Sequence, residues 1–532
     1  MASPPVCSRR RHRGASLRAT LLIVTVVLTT VLADASSGNS VDVSSRNELI
    51  LTSSSYSSSP APPPRPVPAQ LHSVSAGCNR ATLRWLYLFC EIVFDVSSFP
   101  VRQTTIGRDT RTPPLSVERE LDAARAAIRR AAERRRGDQP RRGDDSWFDA
   151  GVESALLASV YRNPAAFHRS YGEMERRFKV YVYEEGEPPI VHMGPCKDIY
   201  SIEGRFIEQL ELMAPAPPQG GRRRRRRGDA ASAGVRTSDP AHAHAFFLPF
   251  SVSQMVRYAY RPNTYDKTPL RALVADYVRV VASRHPYWNR SAGADHFMLS
   301  CHDWGPEASM GHPELYANGI RALCNANTSE GFRLGQDVSV PEINLYGGDM
   351  PRQLLAPPPV PASSRPFLAF FAGGRHGHVR DLLLRHWKGR DPDVLPVFEH
   401  GEHEQDDGLD YYGFMRRSRF CLCPSGYEVA SPRVVEAIHA GCVPVLVSDG
   451  YAPPFADVLR WEAFSVAVAV ADIPRLREVL EGIPAPEVER MRRGMRLVKR
   501  HFTLHQPPER LDVFHMILHS VWLRRLNLRL DH

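Results

Sequence analysis

Residues 419–449, RFCLCPSGYEVASPRVVEAIHAGCVPVLVSD, constrain the fold of this chain more than any other stretch. An apolar run over 420–423 reads as a strand that stops at Pro424, Ser425 and Gly426. A helix follows, opened by Ser431 as N-cap with Pro432 in its first turn and closed by Gly441, and a second strand spans 442–447. Each of these capping residues suits one position: Ser accepts a free backbone N–H, Pro has none to leave unpaired, and Gly takes a left-handed C-cap. The unit is βαβ, and its almost wholly apolar strands mark a parallel sheet covered on both faces. Such sheets bind ligands outside the carboxyl ends of their strands. That edge holds Ser425, Gly426 and Tyr427, and the helix turns free N–H groups toward the same place, which suits a phosphate.

The unit closes a longer series. Upstream of it, 367–372 reads as a strand, Gly373-Gly374-Arg375 as a turn and 378–387 as a helix. Another strand at 394–398 and a helix at 411–416 follow. A first series runs through strands at 178–183, 243–249, 295–301 and 338–343 with helices at 202–212 and 270–283. Prolines 357, 358, 359 and 361 separate the two series as a hinge. Strands alternating with helices give two α/β halves, 154–356 and 357–532, facing a cleft suited to a nucleotide-linked substrate.

Charge narrows the function. Residues 1–150 carry 21 Lys and Arg against 14 Asp and Glu, and the six arginines 222–227 more than account for the remaining excess of 47 over 44. The folded part is therefore slightly acidic, which argues against a nucleic-acid face. The arginine run lies in an insertion, 215–240, that reads as a solvated loop or as a contact for an anionic polymer or lipid.

At the amino terminus, basic residues 9, 10, 11 and 13 precede a charge-free apolar run, 19–33. Basic flanks keep residues 1–18 cytosolic and send the rest into the secretory lumen. The run reads either as a cleaved signal peptide or as a signal anchor that spans the membrane. Residues 34–153 read as a Ser/Pro/Arg-rich luminal stalk, disordered apart from a solvated Ala/Arg-rich helix near 117–136. Two N-glycosylation triplets begin at Asn289 and Asn327, consistent with a luminal location. Nine cysteines in an oxidising lumen imply some pairing, with Cys301 and Cys324 one candidate pair. Cys421 and Cys423, two apart on a strand, read as buried thiols.

The segments FKVYVYEEGEPPIVHMGPCKDIYSIEGRFI, AHAFFLPFSV, DHFMLSCHDWGP, DVSVPEINL, FLAFFAGGRHGHVRDLLLRHW and the 420–449 block together resemble the exostosin-type glycosyltransferase family, particularly its plant branch. They run in family order over roughly 155–526. The resemblance implies a GT-B-like fold of two Rossmann-like domains behind a signal anchor and stalk, and a single-pass type II protein of the Golgi membrane. It implies transfer of a sugar from a UDP-sugar to a cell-wall polysaccharide such as pectin, xylan or xyloglucan, or to a glycoprotein. Inversion and independence of metal are part of the same implication, as are complexes with other Golgi glycosyltransferases. No cofactor is expected, since the nucleotide sugar is a substrate. A catalytically silent scaffold subunit of a polysaccharide synthase complex is the alternative, because fold does not decide function.

In such folds the second half holds the donor. Glu436, within the capped helix, is placed to accept hydrogen bonds from ribose hydroxyls, or else is a surface carboxylate paired with an arginine. Ser431 and Arg433 sit near the diphosphate. Gly373 and Gly374 let backbone approach a ligand, and Arg375 is positioned to offset leaving-group charge, unless the three form a plain turn. An inverting transfer needs a base from the first half; Asp303 and then His302 are the candidates, against a reading in which the pair merely caps its strand. Asp391-Pro-Asp393 has the form of a metal-binding Asp-x-Asp, but its polar turn and proline argue against a metal.

Overall fold

A computed structural model describes residues 102–104, 115–133, 153–187, 190, 199–213, 234–356, 364–399, 402 and 410–530. The apolar run 19–33, the arginines 222–227 and the prolines 357–361 lie outside the described residues. Among the described residues, no helix is long and apolar enough to cross a membrane.

Two parallel sheets form the frame. Helix α1 (Leu115–Ala132) and helix α2 (Pro164–Arg177) lead into the first sheet. Its strands are β2 (Val180–Val182), β3 (Arg236–Thr237), β4 (Ala245–Phe247), β5 (His296–Ser300), β6 (Ile320–Leu323) and β7 (Val338–Ser339). They lie in the order β3-β2-β4-β5-β6-β7. Helix α3 (Ser201–Leu212) and helix α4 (Thr268–Arg284) are among its connections. The second sheet comprises β8 (Phe367–Ala372), β9 (Val397–Phe398), β10 (Ser418–Pro424), β11 (Val443–Val447) and β12 (Val466–Val468), in the order β12-β11-β10-β8-β9. Helix α5 (Gly377–Trp387) follows β8, helix α6 (Tyr411–Arg417) leads into β10, and helix α7 (Arg433–Ala440) joins β10 to β11.

Both orders reverse direction once, after β2 and after β8. A ligand crevice forms where neighbouring strands send their connections to opposite sides of the sheet. In the second sheet that point lies between β8 and β10, at Gly373 and Gly426. The predicted βαβ unit pairs in register, Phe420 with Val443 and Cys423 with Leu446. Gly441 closes α7 with φ of 68°, the left-handed conformation that glycine adopts without strain.

Three expectations are corrected. Helix α1 is not solvated stalk: Val117, Leu121, Ala124 and Ile128 are buried in the main core. Arg125 donates from Nε to the Leu526 carbonyl and from Nη2 to the Leu528 carbonyl, both at 2.7 Å. The apolar face packs into the core, and one of the arginines of this Ala/Arg-rich helix finds backbone acceptors at the carboxyl end. Second, the halves are not cleanly separated at 357. The last helix, α8 (Val513–Asn527), is buried almost all round and packs against β6 and β7 of the first sheet, and it leads into β13 (Leu528–Leu530), which pairs with β1 (Arg102–Thr104). Third, Cys421 is no free thiol. It bonds to Cys442, just before β11, with an S–S distance of 2.10 Å, while Cys423 remains a buried thiol whose burial pushes its ionisation up to about 12. The Cys301–Cys324 disulfide is present and staples the loops that leave β5 and β6.

Candidate functional site

The loop after β5 is held from below. Glu203 of α3, buried, accepts from the backbone N–H groups of Cys301 at 2.8 Å and His302 at 3.2 Å, and from the Ser251 hydroxyl at 2.6 Å. Beneath it, Gly305 leaves no room for a side chain against Ser300. The carboxylate so presented is Asp303. Its Oδ1 accepts from the Tyr200 hydroxyl at 2.6 Å, and its carbonyl accepts from Asn325 Nδ2 at 3.0 Å. Asn325 Oδ1 in turn accepts from the Val429 N–H at 3.4 Å, which ties the loop to the second sheet.

Between the two sheets lies a cavity of about 720 Å³, of a size to bury a nucleotide sugar. Asp303 lines it from the first half, as does Glu342, beyond β7. From the second half come Gly373, Gly374, Gly426, Tyr427, Arg433 and Glu436, which the sequence placed at the site, together with Arg380 and Glu428, which it did not. The glycines make room: a Cβ at Gly373 would overlap the Arg433 guanidinium, and one at Gly426 would stand 3.0 Å from Arg380 Nη2. Arg433 is braced by the Ala372 carbonyl at 2.9 Å and the Ser431 hydroxyl at 3.4 Å. Glu436 is buried, and its Oε2 accepts from the Tyr411 hydroxyl at 2.8 Å.

Electrostatics divide the cavity. Arg380 and Arg433 stand on the second half; burial, then the neighbouring Arg433 charge, draw Arg380 down to about 10, still charged at neutral pH. Four carboxyl groups line the same space. Burial, with Glu342 and Asp303 adding repulsion, holds Glu428 well above the ordinary carboxyl range. Burial, then the Asp303 charge, does the same to Glu342. Glu342 is 2% exposed, and neither of its oxygens has a hydrogen-bond partner.

Several expected residues stand elsewhere. Arg375 is exposed and pairs with Asp381 at 2.7 Å and Glu399 at 3.4 Å, because its side chain leaves the Gly-Gly turn on the solvent side. His302 does not line the cavity; its Nδ1 accepts from the Trp304 N–H at 3.1 Å, so it shapes the loop. Ser425 and Ser431 are buried behind the surface. Asn289 is exposed, whereas Asn327 is 8% exposed, with Oδ1 accepting from Ser329 and Nδ2 donating to Glu330. A glycan on Asn327 would have to displace that packing. Asp391 faces Arg477.

The missed residues carried weak signals. Glu428 adjoins Tyr427 at the recognised strand edge, but Glu342 and Arg380 sit in segments whose convergence depends on how the sheets meet.

Residues 174–483 match the exostosin GT47 domain. A probable glycosyltransferase of Arabidopsis thaliana is 54% identical over 373 residues, covering 70% of this chain and 73% of that protein. A probable glucuronosyltransferase of Oryza sativa subsp. japonica is 33% identical over 307 residues, 54% of this chain and 70% of its own length. A probable beta-1,4-xylosyltransferase of Arabidopsis thaliana is 31% identical over 302 residues, 54% and 72%.

Proposed function

The chain belongs to the exostosin GT47 family of glycosyltransferases, and we propose that it transfers a sugar from a UDP-sugar to a cell-wall polysaccharide such as pectin, xylan or xyloglucan. The observation that carries this reading is the pairing, within one cavity, of two arginines on the second half with a carboxylate, Asp303, on the first. Arg380 and Arg433 bind the diphosphate and offset the charge that grows on the leaving group. Glu436, beside Tyr411, accepts hydrogen bonds from the ribose hydroxyls. Asp303 takes the proton of the acceptor hydroxyl as that oxygen attacks the anomeric carbon from the face opposite the diphosphate, which inverts the configuration. The Tyr200 hydroxyl, donating to Oδ1, orients Asp303.

Metal independence follows as part of the proposal, since two guanidinium groups supply positive charge at the phosphates. Relatives named for xylosyl and glucuronosyl transfer favour a polysaccharide acceptor. Two disulfides suit an oxidising lumen, and with the apolar run 19–33 they support a Golgi type II protein. The test is incubation of the purified full chain with a panel of labelled UDP-sugars and pectic, xylan and xyloglucan oligosaccharides. Transfer to one acceptor with an inverted linkage is expected. Absence of both transfer and UDP binding, with retention in a complex of other glycosyltransferases, would favour the scaffold reading instead.

A further inference from the structure

The cavity has a charge imbalance that bears on the donor sugar. Among its lining residues, Arg380 and Arg433 are the permanent cations, against four carboxyl groups, Asp303, Glu342, Glu428 and Glu436. On the reading above, the diphosphate occupies both arginines and the ribose occupies Glu436. The transferred sugar then meets Asp303, Glu342 and Glu428, with no permanent cation left over among the described lining residues. Glu342 is the informative member. A buried carboxyl group with both oxygens unpartnered costs free energy unless a ligand supplies donors. A ring bearing free hydroxyls supplies them. A ring whose C6 is a carboxylate supplies fewer and brings its charge beside the Asp303 carboxyl group with no guanidinium left to offset it, a juxtaposition that is disfavoured at low dielectric.

We propose that the donor sugar is neutral, a hexose or pentose and not a uronic acid, and that Glu342 is the residue that selects it by accepting hydrogen bonds from its hydroxyls. The inference rests on the assignment of the cavity to a nucleotide sugar and adds the chemical class of the sugar. It separates this chain from relatives named as glucuronosyltransferases.

The test compares matched donors that differ only at C6: UDP-glucose with UDP-glucuronate, and UDP-galactose with UDP-galacturonate, titrated calorimetrically into the full chain alongside UDP. In each pair that binds, the neutral sugar should be favoured by at least about tenfold, since one uncompensated charge costs more than about 1.4 kcal/mol in such a site. Glu342→Gln should shrink that ratio within each pair toward unity. Equal or tighter binding of the uronates overturns the proposal while leaving the nucleotide-sugar reading intact. A folded Glu342→Gln protein with an unchanged ratio overturns the role of Glu342. Failure of UDP and all four donors to bind removes the underlying reading and this one together. If the variant does not fold, the wild-type ratios still decide the class of sugar.

Discussion

Asp303 and Glu428 line one cavity from opposite halves. Asp303→Asn should lower kcat by about a hundredfold to ten-thousandfold, the usual worth of a general base, with UDP affinity retained, because the base acts on the acceptor. Full turnover in that variant would move the role to Glu428. The arginines allow a sharper comparison. Arg380→Ala should weaken UDP binding by about tenfold to a hundredfold, as expected for lost charge-assisted hydrogen bonds to phosphate. Arg375→Ala should change it by less than about threefold, since Arg375 faces Asp381 and Glu399 in solvent. The reverse order of effects in titration would show that the Gly-Gly turn opens to bind ligand. Gly373, Gly374, Gly426, Arg433 and Glu436 were legible from the sequence because strand ends and a capped helix place them by local rules. Arg380 was not, since an arginine one turn into an amphipathic helix looks the same whether it faces solvent or a cleft.

At the scale of elements, the βαβ unit was readable to within a residue or two: its apolar strands and the Gly441 cap agree, while Pro432 and not Ser431 is the N-cap residue and the helix opens at Arg433. Helix α1 was found but misplaced in the molecule. Its period showed which face is apolar, yet the partner of that face, α2, and the acceptors of Arg125 at 526 and 528 lie far along the chain. Leu121→Ala should therefore cost about 2–5 kcal/mol in denaturant unfolding, the range for a buried leucine; a cost near zero would return the helix to the stalk. The Cys421–Cys442 disulfide closes a loop of 21 residues within one sheet. Replacing both cysteines by alanine should lower stability by about 3 kcal/mol, seen as a lower Tm that reductant lowers no further at this bond. Sequence alone paired neither cysteine, because strand neighbours on β10 and β11 become adjacent only once the register is set.

The whole molecule carries a pH signature. Burial pushes His168, His244, His501 and His519 down to about 3 and His439 to about 4. The unfolded chain binds these protons near pH 6.5 while the native state refuses them, so their contribution is present above that pH and is lost as pH falls toward 3 to 4. Glu342, Glu428 and Glu436 act with the opposite sign: folded, they keep protons more tightly than the unfolded chain does, so stability drains as pH rises above the ordinary carboxyl range. Five imidazoles outweigh three carboxyl groups below pH 6.5, and Tm should fall steadily from there toward pH 4; a flat profile would contradict their burial. Two parallel sheets facing a cleft were foreseeable from alternating strands and helices. The return of α8 across the first sheet was not, because a helix apolar all round shows only that it is buried. The central claim is that this cleft holds a nucleoside diphosphate against Glu436, Arg380 and Arg433. Calorimetric titration of UDP into the wild-type protein and Glu436→Gln tests it most directly. Gln keeps an acceptor for Tyr411 but loses the charge that ribose hydroxyls require, so UDP should bind the wild type saturably and the variant about tenfold to a hundredfold more weakly, with unfolding temperatures nearly equal. Absence of UDP binding to the wild type, or equal affinity in the two proteins, would contradict the account.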